Sequence, residues 1–406
     1  MGDITGGNTD PCRRLVGLFL CIGILLLLTG CWDSRELNQR AVIAAMGIDK
    51  GDVHRYEVSF QVIVADEIAG EKARGAAPVV LYREEGDTIF EAVRKASRKV
   101  SRQISLSHVR AVVISEEMAR KGISHLVDFL ERDAETRLTI EMYIARGHLA
   151  REVLSTMTSV GRIPANDITG KQQMSMRMYG ETYTSQIDQV IRDLSGHGKG
   201  PVIPGLRVSG DMKKAPTKDN VDSIEPKAVM YIQGSAIFQG DKLVGWMDGR
   251  EAIGLSILHN KLQSSVTPLP YDDRPEAVTI ETIFLKSRTL VSLEKGEPVF
   301  TIEVDQNGAA GEVDLPLNLN SSRVIEKMQR KWSAETADYV RHAVRAAQAA
   351  KTDVLGFGRV VERKYPQQWK KLSEKWGKEF PECTVHIRVT SVIKNTQTRK
   401  NPYLTH

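Results

Sequence analysis

Hydrophobic positions along the chain change period several times, and each change marks an element. The run from Leu15 to Leu28 is apolar apart from Gly17 and Gly23 and follows Arg13 and Arg14. At about 14 residues it falls short of the roughly 20 that cross a bilayer as a helix, so it reads as an export signal. Ala41 to Ile48 is a second apolar segment. Tyr56, Val58, Phe60, Val62 and Val64 then alternate with smaller or polar residues, which predicts a half-buried strand. Thr88 and Glu91 stand at capping-box spacing ahead of Ile89, Ala92, Val93, Ala96 and Val100, one apolar face of a helix. The opposite face carries Arg94, Lys95, Arg98, Lys99 and Arg102. A strand at Ala111–Ile114, a helix from Glu116 to Leu130 broken near Gly122, and an alternating strand through Leu138, Ile140, Met142 and Ile144 follow. Arg132 and Arg137 are suited to pair with Asp133 and Glu135.

From Ser195 to Lys227 the pattern dissolves into Gly, Pro, Lys and Asp, the chemistry of a linker, although Val202–Val208 could form a short strand. Order returns at Val229–Phe238, where a turn at Gln239–Lys242 makes a hairpin with Leu243–Trp246. Strands at Val278–Val291 and Pro298–Val304 form a second hairpin through Glu294–Glu297. A helix capped by Ser321–Ser322 runs to about Ala350 with the stripe Val324, Met328, Trp332, Val340, Ala343, Val344 and Ala347. The chain closes on a strand at Thr384–Ile393. The expected fold is α+β, in two or three consecutive domains, each a mixed or antiparallel sheet packed with helices. The boundaries are a signal over 1–30, an N-terminal α+β region over 31–195 with room for two subdomains, a linker over 196–227 and a C-terminal α+β domain over 228–406.

Composition changes this picture little. With 41% hydrophobic and 26% charged residues the chain has the makeup of a globular protein. The net charge of +5 is spread among acids, with no basic stripe interleaved with aromatics, which argues against nucleic acid as a partner. Cysteine usage is more informative. Leu28-Thr29-Gly30-Cys31 resembles a lipobox, which implies a diacylglyceryl group on Cys31 and cleavage between Gly30 and Cys31. Cys12 and Cys21 would leave with the signal, so Cys383 would be the one free thiol, read as a small buried hydrophobe.

No catalytic, cofactor or metal set emerges. Gly196–Pro201 lacks the P-loop spacing and Gly356-Phe357-Gly358 lacks a third glycine. His108 has no second ligand at a metal-like offset and reads as a hydrogen-bonded structural residue. Asp248, Glu251, His259 and Lys261 invite an enzyme reading but fit turn, cap and helix-surface roles without a nucleophile and base in a defined order.

Cys31-Trp32-Asp33, with Arg35-Glu36-Leu37 after it, resembles the start of the mature Ger(x)C spore germination proteins, lipoprotein subunits of nutrient germinant receptors. Asp353-x-x-Gly356-x-Gly358, Tyr365-Pro366, Trp369 and Trp376 are similar to the family's C-terminal pattern, and the likeness runs from Leu28 to about Ile393. The resemblance implies a non-catalytic, lipid-anchored subunit on the outer face of the spore inner membrane, with integral membrane receptor subunits as partners. A lipid-tethered solute-binding protein serving a transporter is the alternative; it calls for two similar α/β lobes, whereas the predicted strands come in hairpins. A surface hydrolase is the remaining class.

Overall fold

The computed structural model describes residues 40–69, 76–196, 198–272 and 274–395, together with Cys12 and Leu15. The lipobox with Cys31 and the Trp32–Leu37 motif lie outside the described residues. Among the described residues no helix is long and apolar enough to cross a membrane.

The first sheet has nine strands: β1 (Arg40–Lys50), β2 (Tyr56–Ile63), β3 (Val79–Gly86), β4 (Gln103–Ser105), β5 (Ala111–Ser115), β6 (Glu141–Ala145), β7 (Val202–Gly210), β8 (Ala228–Gln239) and β9 (Lys242–Met247), in the order 3-2-1-5-6-7-8-9 with β4 beside β1. Its centre is parallel: β1, β5, β6 and β7 run the same way, flanked by antiparallel β2–β3 and β8–β9. Parallel strands need helical crossovers and are covered on both faces. Hence all of β5 is buried. Val112 and Ile114 pack on one side with Met46, Phe60, Ile89 and Leu126, and Ala111 and Val113 on the other with Ala45, Leu154 and Ile168. The small residues on the second face let helix Ala150–Ser155 approach closely. Asp49, fully buried in β1, caps that helix by accepting from the Ala150 and Arg151 amides at 2.7 and 2.9 Å.

The second sheet is four-stranded: β10 (Ser265–Tyr271), β11 (Arg274–Glu294), β12 (Glu297–Val313) and β13 (Thr384–Asn395), in that order, with β12 and β13 parallel. Helix Ser322–Ala349 lies on it, burying the expected stripe from Met328 to Ala347. Helix Gly249–Leu258 crosses that helix at Gly254, where a Cβ would stand 2.1 Å from the Tyr339 carbonyl oxygen, so no other residue allows this approach.

Several expectations need correction. The stretch 196–227 contains β7, buried over Val202–Leu206, instead of a free linker. β8 and β9, expected in a domain starting at 228, complete the first sheet. The capped helix stops at Ala96. The strand expected from Leu138 begins at Glu141 and leaves Leu138 exposed. Arg132 pairs with Asp128 at 2.9 Å, while Asp133 accepts from the Glu135 and Thr136 amides. His108 is hydrogen-bonded as expected, to its neighbour Ser107, but exposed. Cys383 is half-buried; burial pushes its thiol up to about 12, which keeps it unreactive.

Candidate functional site

The two sheets meet at a buried polar junction built on Asp353. One carboxylate oxygen accepts from the amides of Gly356 (2.8 Å) and Phe357 (3.1 Å), the other from Gly358 N (2.7 Å) and Trp376 Nε1 (2.8 Å). The residue thus occupies the N-terminal end of helix Phe357–Lys364, where free N–H groups and the helix dipole favour an anion. Burial pushes its carboxyl up, and the four donors oppose that shift. The backbone turn that aims three amides at one side chain seats Phe357 in the core, stacked on Phe300 with ring centroids 4.3 Å apart. The Asp-x-x-Gly-x-Gly pattern and the distant tryptophan are therefore one structural unit.

Gly196–Pro201 threads through the same junction. Gly200 N donates to Asp353 O at 2.8 Å, and Thr352 Oγ1 to Phe238 O in β8 at 2.7 Å. Gly198 has φ +92, and a Cβ there would meet Gly358 Cα at 2.9 Å, so the segment's glycines serve close packing instead of a loose linker. Beside it Asp193, 4% exposed, receives Arg359 at 2.8 Å and Lys199 at 3.5 Å. Arg359 also donates to the Arg192 carbonyl at 2.8 Å. Burial lowers the Lys199 ammonium, and Asp193 works against that.

His259 closes the junction. Its Nε2–H donates to Val354 O at 2.9 Å, which leaves Nδ1 to accept from the Tyr183 hydroxyl at 2.6 Å. With both nitrogens engaged and burial holding it well below the usual imidazole range, this ring is neutral. Asp193, Lys199, His259, Lys261 and Arg359 line a polar cleft of about 650 Å³. The cleft offers charge and hydrogen bonds, and the hydroxyl–imidazole pair that lines it, Tyr183 with His259, is fixed at the ring's other nitrogen by the Val354 carbonyl. Asp248 lies at the other end of the ten-residue helix Gly249–Leu258, about 15 Å from His259. There it takes a two-pronged ion pair from Arg146 at 2.5 and 2.8 Å. The four residues that invited an enzyme reading are thus not assembled. Among the described residues no group of three or more His, Cys, Asp or Glu is placed to hold a metal.

The neutral His259 gives a signed prediction. In the unfolded chain an imidazole takes up a proton below about pH 6.5, while the folded form does not, so stability falls as pH drops through that value. The slope attributable to His259 approaches about 1.4 kcal/mol per pH unit. His259→Gln, which keeps one donor and one acceptor, should flatten urea-unfolding stability between pH 6.5 and 5 relative to the parent. Identical pH profiles for the two proteins would contradict this assignment.

On the same face of the first sheet as the helix that carries Asp193, a groove of about 670 Å³ lies between helices Ile89–Ala96 and Ser124–Arg132. Tyr56, Ile104, Leu106 and Phe129 are among the residues lining it, and Phe90 stands half-exposed beneath the Arg94 guanidinium, 4.8 Å from the ring centroid. The basic helix face is largely compensated: Arg98 and Lys99 both meet Glu84, and Lys95 meets Glu91. The capping box forms with a shift of one residue, since Glu91 accepts from Asp87 N instead of Thr88 N.

Comparison with known proteins agrees with this architecture. The family described as spore germination protein N-terminal domain matches residues 33–208, and that described as spore germination B3/GerAC-like, C-terminal, matches residues 233–397. The second match begins inside β8, while the structural break between sheets falls after β9. Spore germination protein KC of Bacillus subtilis is 31% identical, over 96% of this chain and 98% of its own. Spore germination protein B3 of the same organism is 24% identical over 92% and 95%. The crystal structure of the GerBC protein aligns with a TM-score of 0.56 at 18% identity, covering 86% of this chain and 97% of that one, a likeness of fold.

Proposed function

The chain belongs to the Ger(x)C family, the C subunits of spore nutrient germinant receptors, and from that premise we propose that it is a lipid-anchored subunit needed for receptor assembly and for the germination response. In this reading diacylglyceryl-Cys31 holds it on the outer face of the spore inner membrane, beside integral membrane subunits. The observation that carries the reading is the order of the sequence: basic residues, an apolar run and Leu28-Thr29-Gly30-Cys31 end where the family match begins at residue 33. Two acyl chains suffice for stable attachment, at about 0.8 kcal/mol per buried methylene.

The protein is not an enzyme, and its role rests on contact. A junction in which Asp353, Asp193 and His259 are all internally satisfied couples the two sheets, as suits a subunit that passes a conformational signal between partners. The solute-binding alternative loses its support for a reason other than the expected one. The first sheet does have a parallel centre, but the two sheets, nine-stranded and four-stranded, are not similar lobes. Crosslinking in intact spores tests the proposal. Integral membrane germinant-receptor subunits should be recovered with this chain; recovery of transport components in their place would favour the alternative.

A further inference from the structure

β13 is an edge strand whose middle is left open in an ordered way. The two ends of its outer edge are capped by helix Ser322–Ala349. Gln348 Nε2 donates to Cys383 O at 3.0 Å just before the strand, and Gln329 Oε1 accepts from Ile393 N at 2.9 Å near its end. Backbone groups alternate direction along a strand, so the N–H and C=O of every second residue between these caps face the same way, outward. These are Val385, Ile387, Val389 and Ser391. The register with β12 is regular from Val299↔Thr384 to Gly308↔Ile393, which carries the alternation from one cap to the other. Among the described residues no strand lies beyond β13.

An open edge this long invites pairing, and proteins ordinarily blunt it with a bulge, a proline, a cover or charged side chains. Between Thr384 and Ile393 there is no bulge, proline or described cover, and the one such device is charge of a single sign, at His386 and Arg388. The charge around the edge selects what could pair there. β13 contains no Asp or Glu, and His386, Arg388 and Lys394 on it are exposed, as is Arg345 on the neighbouring helix. Among the described residues Arg345, Arg388 and Lys394 make no ion pair within 4.0 Å, although Glu303 of β12 is the register neighbour of Arg388, whereas Arg341 is paired with Asp338. A second copy of β13 would set Arg388 and Lys394 against their own kind. The chain's last residues, with Arg399 and Lys400 and no acid, carry the same sign.

We propose that the outer edge of β13 receives an extended, acidic segment of a different protein as a fifth strand of the second sheet. Main-chain bonds to Val385–Ser391 supply the attachment, and Arg345 and Arg388 select the acidic partner. The proposal rests on the receptor-subunit reading only for where that partner is found.

The test uses the full chain, purified in detergent and, separately, within spore membranes, with amide exchange read at residues 384–392. Thr390→p-benzoylphenylalanine supplies a photo-crosslink. In membranes, the amides of Val385, Ile387 and Val389 should exchange at least about 100-fold more slowly than in the purified chain. The crosslinked peptide should belong to another protein and carry an excess of Asp and Glu. Val389→Pro removes an outward amide and no bond to β12, so it should abolish the crosslink and leave folding intact. Arg345→Glu with Arg388→Glu should do the same. Equal exchange in both states while membrane proteins still co-purify, or a crosslink to a second copy or to this chain, overturns the proposal. A protected edge with an acidic crosslink but no co-purifying receptor subunit would instead remove the receptor reading and leave the edge assignment standing.

Discussion

Asp353→Ala is expected to destabilise the protein by about 4 kcal/mol or more, because it orphans the amides of Gly356, Phe357 and Gly358 and the Trp376 indole at once. A buried donor left without a partner costs roughly 1–3 kcal/mol, and these four are held by a helix terminus and a packed tryptophan that give little room to re-pair. Asp353→Asn keeps one acceptor oxygen and turns an amine toward the other donors, so it should fall between alanine and the parent. Urea unfolding at pH 7 reads both. The loss should be accompanied by uncoupling of the two sheets, seen as a second unfolding step or a lowered slope in denaturant. A single unchanged transition with a loss under about 1 kcal/mol would show that the carboxylate does not organise the junction.

The second large effect concerns location, not stability. Cys31→Ala leaves the sequence from Arg40 onward unchanged, so a folded ectodomain is expected, and it removes the thiol proposed to carry the lipid. The variant should be unprocessed or released from membranes, and spores carrying it should respond poorly to nutrient. Fractionation and a germination assay on the same spores measure both. Full germination with the protein released from membranes would contradict the proposed role of the anchor.

Local pattern made much of the fold readable. Alternation placed β2, turn residues placed the Gln239–Lys242 hairpin of β8 and β9 and the Glu294–Glu297 hairpin, and the stripe on helix Ser322–Ala349 became core. What escaped depends on partners far away in the chain. β7 was legible only as a possible short strand within a linker, because it holds Pro204 and Gly205 and stands in a stretch of Gly, Pro, Lys and Asp. In the sheet Pro204 sits at a register shift against β8, where its missing N–H is tolerated, and Gly205 is small because the Gln233 carbonyl and the Trp246 ring press against it. The parallel centre of the first sheet was likewise invisible to a reading that tracks neighbouring hairpins, since β1 and β5 meet across 65 intervening positions, from Ala45 to Ala111 by register.

The site divides the same way. Asp353, Gly356, Gly358 and Trp376 stood out as a family pattern, yet the reason for the pattern needed the four hydrogen bonds. Asp193, Lys199 and Arg359 carried no signal at all: an aspartate on a helix, a lysine in a glycine-rich stretch and an arginine far downstream become a cluster only through the junction. His259 was visible as a candidate acid or base, and its two fixed partners make it structural instead.

In the proposed role this germination protein works from a lipid anchor at Cys31, and its mature N-terminus decides whether it does. Mass spectrometry of the protein extracted from spore inner membranes should find a terminal peptide beginning at Cys31 and carrying a thioether-linked diacylglyceryl group. A mature chain that begins elsewhere, or that carries Cys31 with a free thiol, would contradict the account.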